Sequence, residues 1–342
     1  MPLDERKYKI LKAIIDDYIL TAMPVGSRTL AKQLDIGLSS ATIRNEMSDL
    51  EDMGFLDQPH TSAGRVPSLQ AFRLYVDRLM RIAAVGKEER EYIRQRVNKS
   101  SMTMDDILSN TAQVLSELTD YASAVMLPKA KQLVFQHLQL VPVTPTSALA
   151  VIVTSAGVFK DTLIRVPEGT SPDMLHRISN ALTHLLRGKT PSHIPNAIKS
   201  LREELAEHAR LAEEIVAGIA EQAQRSQQQE IYLGGRTNLL KYPEYSNAEK
   251  ILPVLSALEP RGSLANILSA KQSLLFQISI GPEIGASEMN DCSLVTVSYQ
   301  VGDDFVGSMG IVGPVRMDYA RVTSVLMHMQ KTLNEMLKNE DL

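Results

Sequence analysis

Tryptophan is missing from this chain of 342 residues, and cysteine occurs once, at Cys292. One thiol excludes an intramolecular disulfide framework, a cysteine zinc site and a Cys-X-X-Cys redox pair. It suits a reducing cytoplasm, which is the expected location. Long apolar runs are missing as well. The longest, Ala148 to Val153, falls far short of the roughly 20 residues that cross a bilayer, so no membrane association is expected. The opening residues Asp4, Glu5, Arg6 and Lys7 lead into an amphipathic segment and lack the pattern of a secretory signal. Neither sign of charge dominates: 36 Lys and Arg face 40 Asp and Glu, a net charge of −4. Nucleic-acid binders are more often basic, so the bulk charge taken alone argues against one. What remains, at 44% hydrophobic and 22% charged residues, is ordinary for soluble globular proteins. The length is enough for about two to three domains, each with its own core. Fifteen methionines suit an adaptable core.

Signatures of catalysis are absent too. None of His60, His137, His176, His184, His193, His208 and His328 forms an H-E-x-x-H or other compact metal signature. His176 and His184 share a helix face but have no third ligand nearby in sequence. No G-x-S-x-G elbow or Walker sequence occurs. Gly234-Gly235, after Ile231-Tyr232-Leu233, looks most like a phosphate loop, yet it lacks the further glycine spacing and the lysine-serine pair and reads as a tight turn. Cys292 begins a strand-like run with no histidine within ten residues, which argues against a nucleophile. We expect no enzyme, no cofactor and no metal site.

Periodicity divides the chain. Residues 1–82 are helix-rich with one polar hairpin-like insert. Residues 83–120 turn charged and then heptad-like, with Met104, Ile107, Thr111, Val114 and Leu118 forming a seam for a partner helix, one that another subunit could supply. From 121 to 170 the period becomes two, and Ala124–Leu127, His137–Val141, Ala148–Val153 and Val158–Val166 read as one small antiparallel sheet. Ser171-Pro172 starts a helix with Met174, Leu175, Ile178, Leu182 and Leu185 inward, and a long helix is expected over about 196–228. Strand-like runs return at 231–233, 274–280, 294–299 and 305–312. A closing helix then buries Val322, Val325, Leu326, Met329 and Leu333.

The function-bearing constellation lies in residues 4–66, which have the order of a winged helix-turn-helix. Tyr8, Leu11, Ile14, Ile15 and Tyr18 face inward from a first helix, and Leu30, Ala31 and Leu34 from a short second one that Ser27 caps. A third helix, capped by Ser39 or Ser40, turns Ile43, Met47 and Leu50 inward and leaves Ala41, Thr42, Arg44, Asn45 and Ser48 on the open side near its start. A recognition helix needs this arrangement. Arginine bonds guanine in a bidentate way, asparagine does so with adenine, and a small apolar group meets a thymine methyl. At the expected wing, His60, Thr61, Ser62 and Arg65 offer donors and one cation for phosphates or the minor groove. Residues 1–82 hold eleven basic and eleven acidic side chains. Arg28, Lys32 and Arg44 nevertheless outweigh Asp35 over 28–45, while Glu46, Asp49, Glu51, Asp52 and Asp57 collect toward the far end of the third helix. Acidic groups there repel phosphate, so the helix is expected to enter DNA by its N-terminus.

Two stretches, Val25-Gly26-Ser27-Arg28-Thr29-Leu30-Ala31 and Leu38-Ser39-Ser40-Ala41-Thr42-Ile43-Arg44-Asn45-Glu46-Met47, resemble the heat-inducible transcription repressor family HrcA. The continuation Leu50-Glu51-Asp52-Met53-Gly54-Phe55-Leu56 and Pro59-His60-Thr61-Ser62-Ala63-Gly64-Arg65-Val66-Pro67 is similar to it as well. Tyr232-Leu233-Gly234-Gly235 and Gly310-Ile311-Val312-Gly313-Pro314-Val315-Arg316-Met317-Asp318-Tyr319 carry the likeness to the far end of the chain. After Pro67 the family usually has a glycine-tyrosine-arginine segment, where this chain reads Leu69-Gln70-Ala71-Phe72-Arg73. The resemblance implies a dimeric repressor of chaperone operons of the groESL and dnaK type, bound to an inverted-repeat operator known as CIRCE and kept active by the chaperonin GroEL. It also implies an α+β fold in three parts: a winged helix-turn-helix over 1–82, a GAF-like domain, and an α+β dimerisation domain inserted into it over 134–228. The GAF-like domain would combine 83–133, which includes a linker helix, with 229–342. A metabolite-responsive repressor using the GAF-like pocket is the alternative reading, although no convergent polar cluster names a ligand.

Overall fold

The computed structural model describes residues 3–33, 38–60, 64–82, 84–97, 102–127, 129–130, 135–154, 159–189, 231–259, 262–270, 275–301 and 305–337. The chain divides into two compact units. The first comprises Met1–Pro128, Glu230–Gln300 and Gly307–Lys338; the second comprises Lys129–Gln229, Val301–Val306 and Asn339–Leu342. Helix and sheet are mixed throughout, an α+β architecture. Among the described residues no helix is long and apolar enough to cross a membrane.

Three helices and a hairpin open the first unit. The Asp4 carboxylate accepts the amide of Lys7 at 2.8 Å and so caps α1 (Glu5–Thr21). Then come α2 (Ser27–Gln33) and α3 (Ser40–Asp52). Their shared core holds Ile10, Leu11, Ile14 and Ile15 of α1, Leu30 of α2, and Ile43, Met47 and Leu50 of α3. Tyr8, Tyr18 and Ala31 are only half-buried, and Leu34 lies outside the described residues. Strands β1 (Leu56–Asp57) and β2 (Val66–Pro67) pair antiparallel. Val25 and Arg65 exchange two main-chain hydrogen bonds, of 2.8 and 2.9 Å, which tie this hairpin to the turn before α2. A Cβ on Gly64 would lie 2.4 Å from the Val25 carbonyl oxygen, so only glycine allows that approach. Ser68 caps α4 (Leu69–Leu74), which runs on into a π-helical turn, Tyr75–Leu79.

Next in order are α5 (Lys87–Val97), α6 (Met104–Thr119), β3 (Ala122–Met126), β4 (Lys129–Ala130), β5 (Phe135–Thr144), β6 (Ser147–Thr154), β7 (Phe159–Arg165) and α7 (Pro172–Leu186). The chain resumes with β8 (Ile231–Gly234), α8 (Ala248–Ala257), α9 (Ser263–Ala270), β9 (Phe276–Ile280), β10 (Cys292–Val301), β11 (Phe305–Pro314) and α10 (Tyr319–Met336). A sheet in the order β8-β3-β11-β10-β9 is covered on both faces, with β4 pairing off β11. Residues two apart on a strand share a face. One face sends Ala122, Ala124, Met126, Cys292, Leu294 and Val312 into a core with residues of α8 and α9, including Ile251, Val254, Leu264 and Leu268. Against the other face lies α6, whose Ala112 carbonyl accepts the Ser123 hydroxyl at 2.5 Å.

Two expectations, the sheet of residues 124–127 and the partner of the α6 seam, need correction. Residues 124–127 do not join the strands at 137–166; as β3 they pair with β8 and β11 in the large sheet. A strand buried on both sides has no alternation to reveal its sheet. The heptad-like seam of α6 is filled within the chain, by β3, β8, α5 and α10, with Ile107, Thr111 and Val114 buried there. Gly234-Gly235 makes a tight turn, with Gly235 at φ +58, and a Cβ on Gly234 would meet the Ala112 carbonyl oxygen at 2.4 Å. The expected long helix over 196–228 lies outside the described residues.

In the second unit, β5, β6 and β7 form an antiparallel sheet in chain order. Helix α7 covers one face with Leu175, Ile178, Leu182 and Leu186, packed on Leu138, Leu140, Ala148, Ala150 and Ile164. The amides of Leu138 and Leu140 donate to Thr183 Oγ1 at 3.0 Å and Ser179 Oγ at 2.9 Å, so the helix also satisfies the open edge of β5. Across the opposite face Val141, Leu149 and Leu163 stand in register, and Val141 and Leu163 are exposed.

Candidate nucleic-acid interface

Helix α3 is held by its apolar stripe, and the same period decides what it presents outward. Its cap is Ser39, whose hydroxyl oxygen accepts the Thr42 amide at 3.1 Å and lies 3.0 Å from the Thr42 hydroxyl. Ile43, Met47 and Leu50 point into the three-helix core. Ala41, Arg44, Asn45 and Ser48 are exposed on the opposite side, with Ser39 beside them, while Ser40 and Thr42 are half-buried. Arg28 is exposed on α2, and His60 is exposed just after β1. Thr61 and Ser62 lie outside the described residues. One guanidinium, one carboxamide, two hydroxyls and a methyl group thus share a surface about three helical turns long, a set able to read base edges in the major groove.

Arg65 differs from the free phosphate cation expected of it. Its Nη2 and Nε lie 2.7 and 2.8 Å from Glu51 Oε2, so its charge is matched and it fixes the hairpin to the far end of α3. Two further carboxylates of α3, Glu46 and Asp49, are neutralised in a way no local spacing foretells. Lys7 Nζ lies 2.7 Å from Glu46 and 2.9 Å from Asp49, and Arg6 Nη1 lies 3.3 Å from Glu46. Hydrogen bonds that Lys7 donates to the carboxylates of Glu46 and then Asp49 hold its ammonium above the ordinary range, so it stays charged. These pairs lie about forty positions apart in sequence, where helical i,i+4 reasoning has no reach. The acidic residues therefore repel phosphate less than their number suggests. N-terminal approach now rests on where Ala41, Arg44, Asn45 and Ser48 stand. Exposed Arg28, Lys32 and Arg44 have no ion-pair partner among the described residues.

Cys292 is fully buried at the start of β10, 3.2 Å from the Tyr245 hydroxyl, and burial pushes its thiol up to about 11. A protonated, enclosed thiol is inert. Among the described residues, no group of three His, Cys, Asp or Glu could hold a metal ion.

Comparison with known proteins puts a class to this arrangement: the chain is a transcription repressor. It is 42% identical to the heat-inducible transcription repressor HrcA of Ruminiclostridium cellulolyticum, over 98% of this chain and 97% of that protein. It is 41% identical to the HrcA repressor of Carboxydothermus hydrogenoformans, over 99% of each. The model of the HrcA C-terminal domain matches residues 105–323. The chain belongs to the HrcA family. A crystal structure of a hypothetical protein shares its architecture over 98% of this chain and 99% of that one, with a TM-score of 0.58 at 26% identity.

Proposed function

We propose that the chain represses chaperone operons in the cytoplasm by binding an inverted-repeat operator of the CIRCE type as a homodimer, and that GroEL keeps it in the binding-competent state. The observation that carries this reading is the polar outer face of α3. Arg44 and Asn45 stand there between Ala41 and Ser48, on a helix whose other side is fixed in a core. Residues 1–82 then act as a winged helix-turn-helix, with β1 and β2 as the base of the wing and His60 exposed just after β1. Ser39, Ser40, Thr42 and Arg28 contact the backbone around the bases that Ala41, Arg44, Asn45 and Ser48 read. The large sheet with its helices is the GAF-like domain, and the unit built from β5, β6, β7 and α7 is the inserted dimerisation domain. An exposed apolar row, with Val141 at 42% and Leu163 at 65% exposure, favours that unit as a self-association surface.

A twofold dimer presents two reading helices to two symmetric half-sites, which is why an inverted repeat is the matching operator. When misfolded protein occupies GroEL, fewer repressor molecules are competent, and a small change in folded fraction opens the chaperone genes. Incubating purified protein with the inverted-repeat duplex, with and without GroEL, tests this. Specific binding that rises with GroEL supports the reading. Binding that ignores GroEL and follows a metabolite replaces it with a ligand-responsive repressor, and no specific binding under either condition overturns it.

A further inference from the structure

Helix α1 carries no basic residue in its last turn, where exposed carbonyls favour a cation. The missing cation comes from almost 300 positions away. Arg316, in the turn between β11 and α10 and only 8% exposed, donates Nη1 to the Ile19 carbonyl oxygen at 2.8 Å. Its Nε and Nη2 bond to the two carboxylate oxygens of Glu244 at 2.5 and 3.2 Å, and its guanidinium lies 5.5 Å from the centre of the Tyr242 ring. A second arginine reaches the opposite way. Arg73 on α4 donates Nη2 to the Ile278 carbonyl oxygen of β9 at 3.0 Å and pairs with Glu283 at 3.3 Å. Between the two, Phe72 packs between Tyr18 and Tyr319, with ring centroids 6.4 and 6.2 Å away. The N-terminal module thus meets the sheet-bearing body of the same unit at two arginines and an aromatic wedge.

Each arginine binds one main-chain carbonyl across the boundary and one carboxylate of the body. A packed apolar residue would hold two surfaces together about as firmly as a buried ion pair. What a bidentate guanidinium adds is a fixed distance and angle. We propose that Arg316, with Arg73, is a positioning device that locks the orientation of the reading module on the body, so that a dimer holds its two α3 helices at one separation and thereby selects operator spacing. This rests on the operator reading above. Neither residue touches DNA in this scheme; both act through the placement of α3.

The test compares wild type, Arg316→Ala, Arg316→Lys and Arg73→Ala. Binding is measured to a single half-site, to the inverted repeat, and to repeats whose spacer is lengthened or shortened. A rigid link supplies avidity of about 10² or more at the matching spacing. Arg316→Ala should keep half-site affinity within about twofold, lose about tenfold or more on the natural repeat, and flatten the preference among spacers. Arg316→Lys should not restore the preference, because an ammonium cannot make the forked contact. Parallel loss on half-site and full repeat would mean that Arg316 merely supports the module's fold and would overturn the proposal. So would unchanged spacer preference in both Arg316→Ala and Arg73→Ala. A readout without DNA separates this from failure of the operator reading. Small-angle scattering of the full chain should show a broader distance distribution in Arg316→Ala than in wild type. An unchanged distribution refutes the lock even if wild type binds none of the duplexes.

Discussion

Three cations on α2 and α3 that lack an ion-pair partner among the described residues set a salt dependence that can be worked out and measured. Arg28, Lys32 and Arg44 are exposed and have no ion-pair partner among the described residues, whereas Lys7 and Arg65 are committed to carboxylates. On B-form DNA the logarithm of the binding constant falls with the logarithm of salt by about 0.9 per phosphate neutralised. Three cations from each of two modules give a slope of about −5. Operator affinity should then drop about 10³-fold between about 50 and 200 mM salt. Lys32→Ala removes one cation from each module and should move the slope to about −4. Arg65→Ala is the instructive comparison, because Glu51 already matches that charge. It should lower affinity by loosening the hairpin and leave the slope near wild type. Fluorescence anisotropy with a labelled inverted-repeat duplex over a salt series reads all three. A wild-type slope shallower than about −2, or identical slopes for wild type and Lys32→Ala, would refute the placing of these cations on DNA.

Arg44→Ala or Asn45→Ala should each cost about 1–3 kcal/mol in operator binding and relax base preference at one position per half-site, checked against a panel of substituted operators. Unchanged specificity in both would remove α3 from the role of reader. Ile43→Ala, at a position with no exposure, should destabilise the fold by about 2–5 kcal/mol in urea unfolding, and a change well under that range would mean the α3 core is looser than described. Burial raises the Cys292 thiol from an ordinary 9.0 to about 11, so the folded state binds its proton more tightly than the unfolded one does. Its contribution to stability is therefore full below about pH 9 and is lost as pH rises toward about 11. Native protein at pH 8 should resist a thiol reagent, and urea-unfolded protein should react once per chain; rapid labelling of the native state would contradict the burial.

Much of the N-terminal module was legible because its signals are local. A hydroxyl cap at Ser39, an apolar stripe at Ile43, Met47 and Leu50, and the outward set from Ala41 to Ser48 all follow from a period of 3.6 residues. The closing helix was legible for the same reason, with Val322, Val325, Leu326, Met329 and Leu333 all buried. Pairing across long separations was not. The strand at 122–126 carries no alternation and gave no sign of its sheet, and the seam of α6 looked intermolecular because nothing nearby in sequence showed which strands would fill it. At the candidate interface, the outward residues of α3 could be read from spacing, but the engagement of Arg65 by Glu51 and of Lys7 by Glu46 and Asp49 could not. Arg316 stood out only as part of a motif, with no hint that its partner is the end of α1.

The pairing of Lys7 with Glu46 and Asp49 also bears on how such a repressor is distributed among the DNA of a cell. Cations already held by carboxylates displace few counterions, so this surface has little to gain from resting on arbitrary sequence. A genome offers about 10⁶–10⁹ competing sites, and a strongly basic repressor leaves most of its copies on them as a reservoir. A reservoir buffers: when copies are lost, others desorb and refill the operator. If α2 and α3 bring only three unpaired cations to DNA, that reservoir stays small, and under the proposed function a fall in the number of competent molecules would reach the operator as vacancy with little delay.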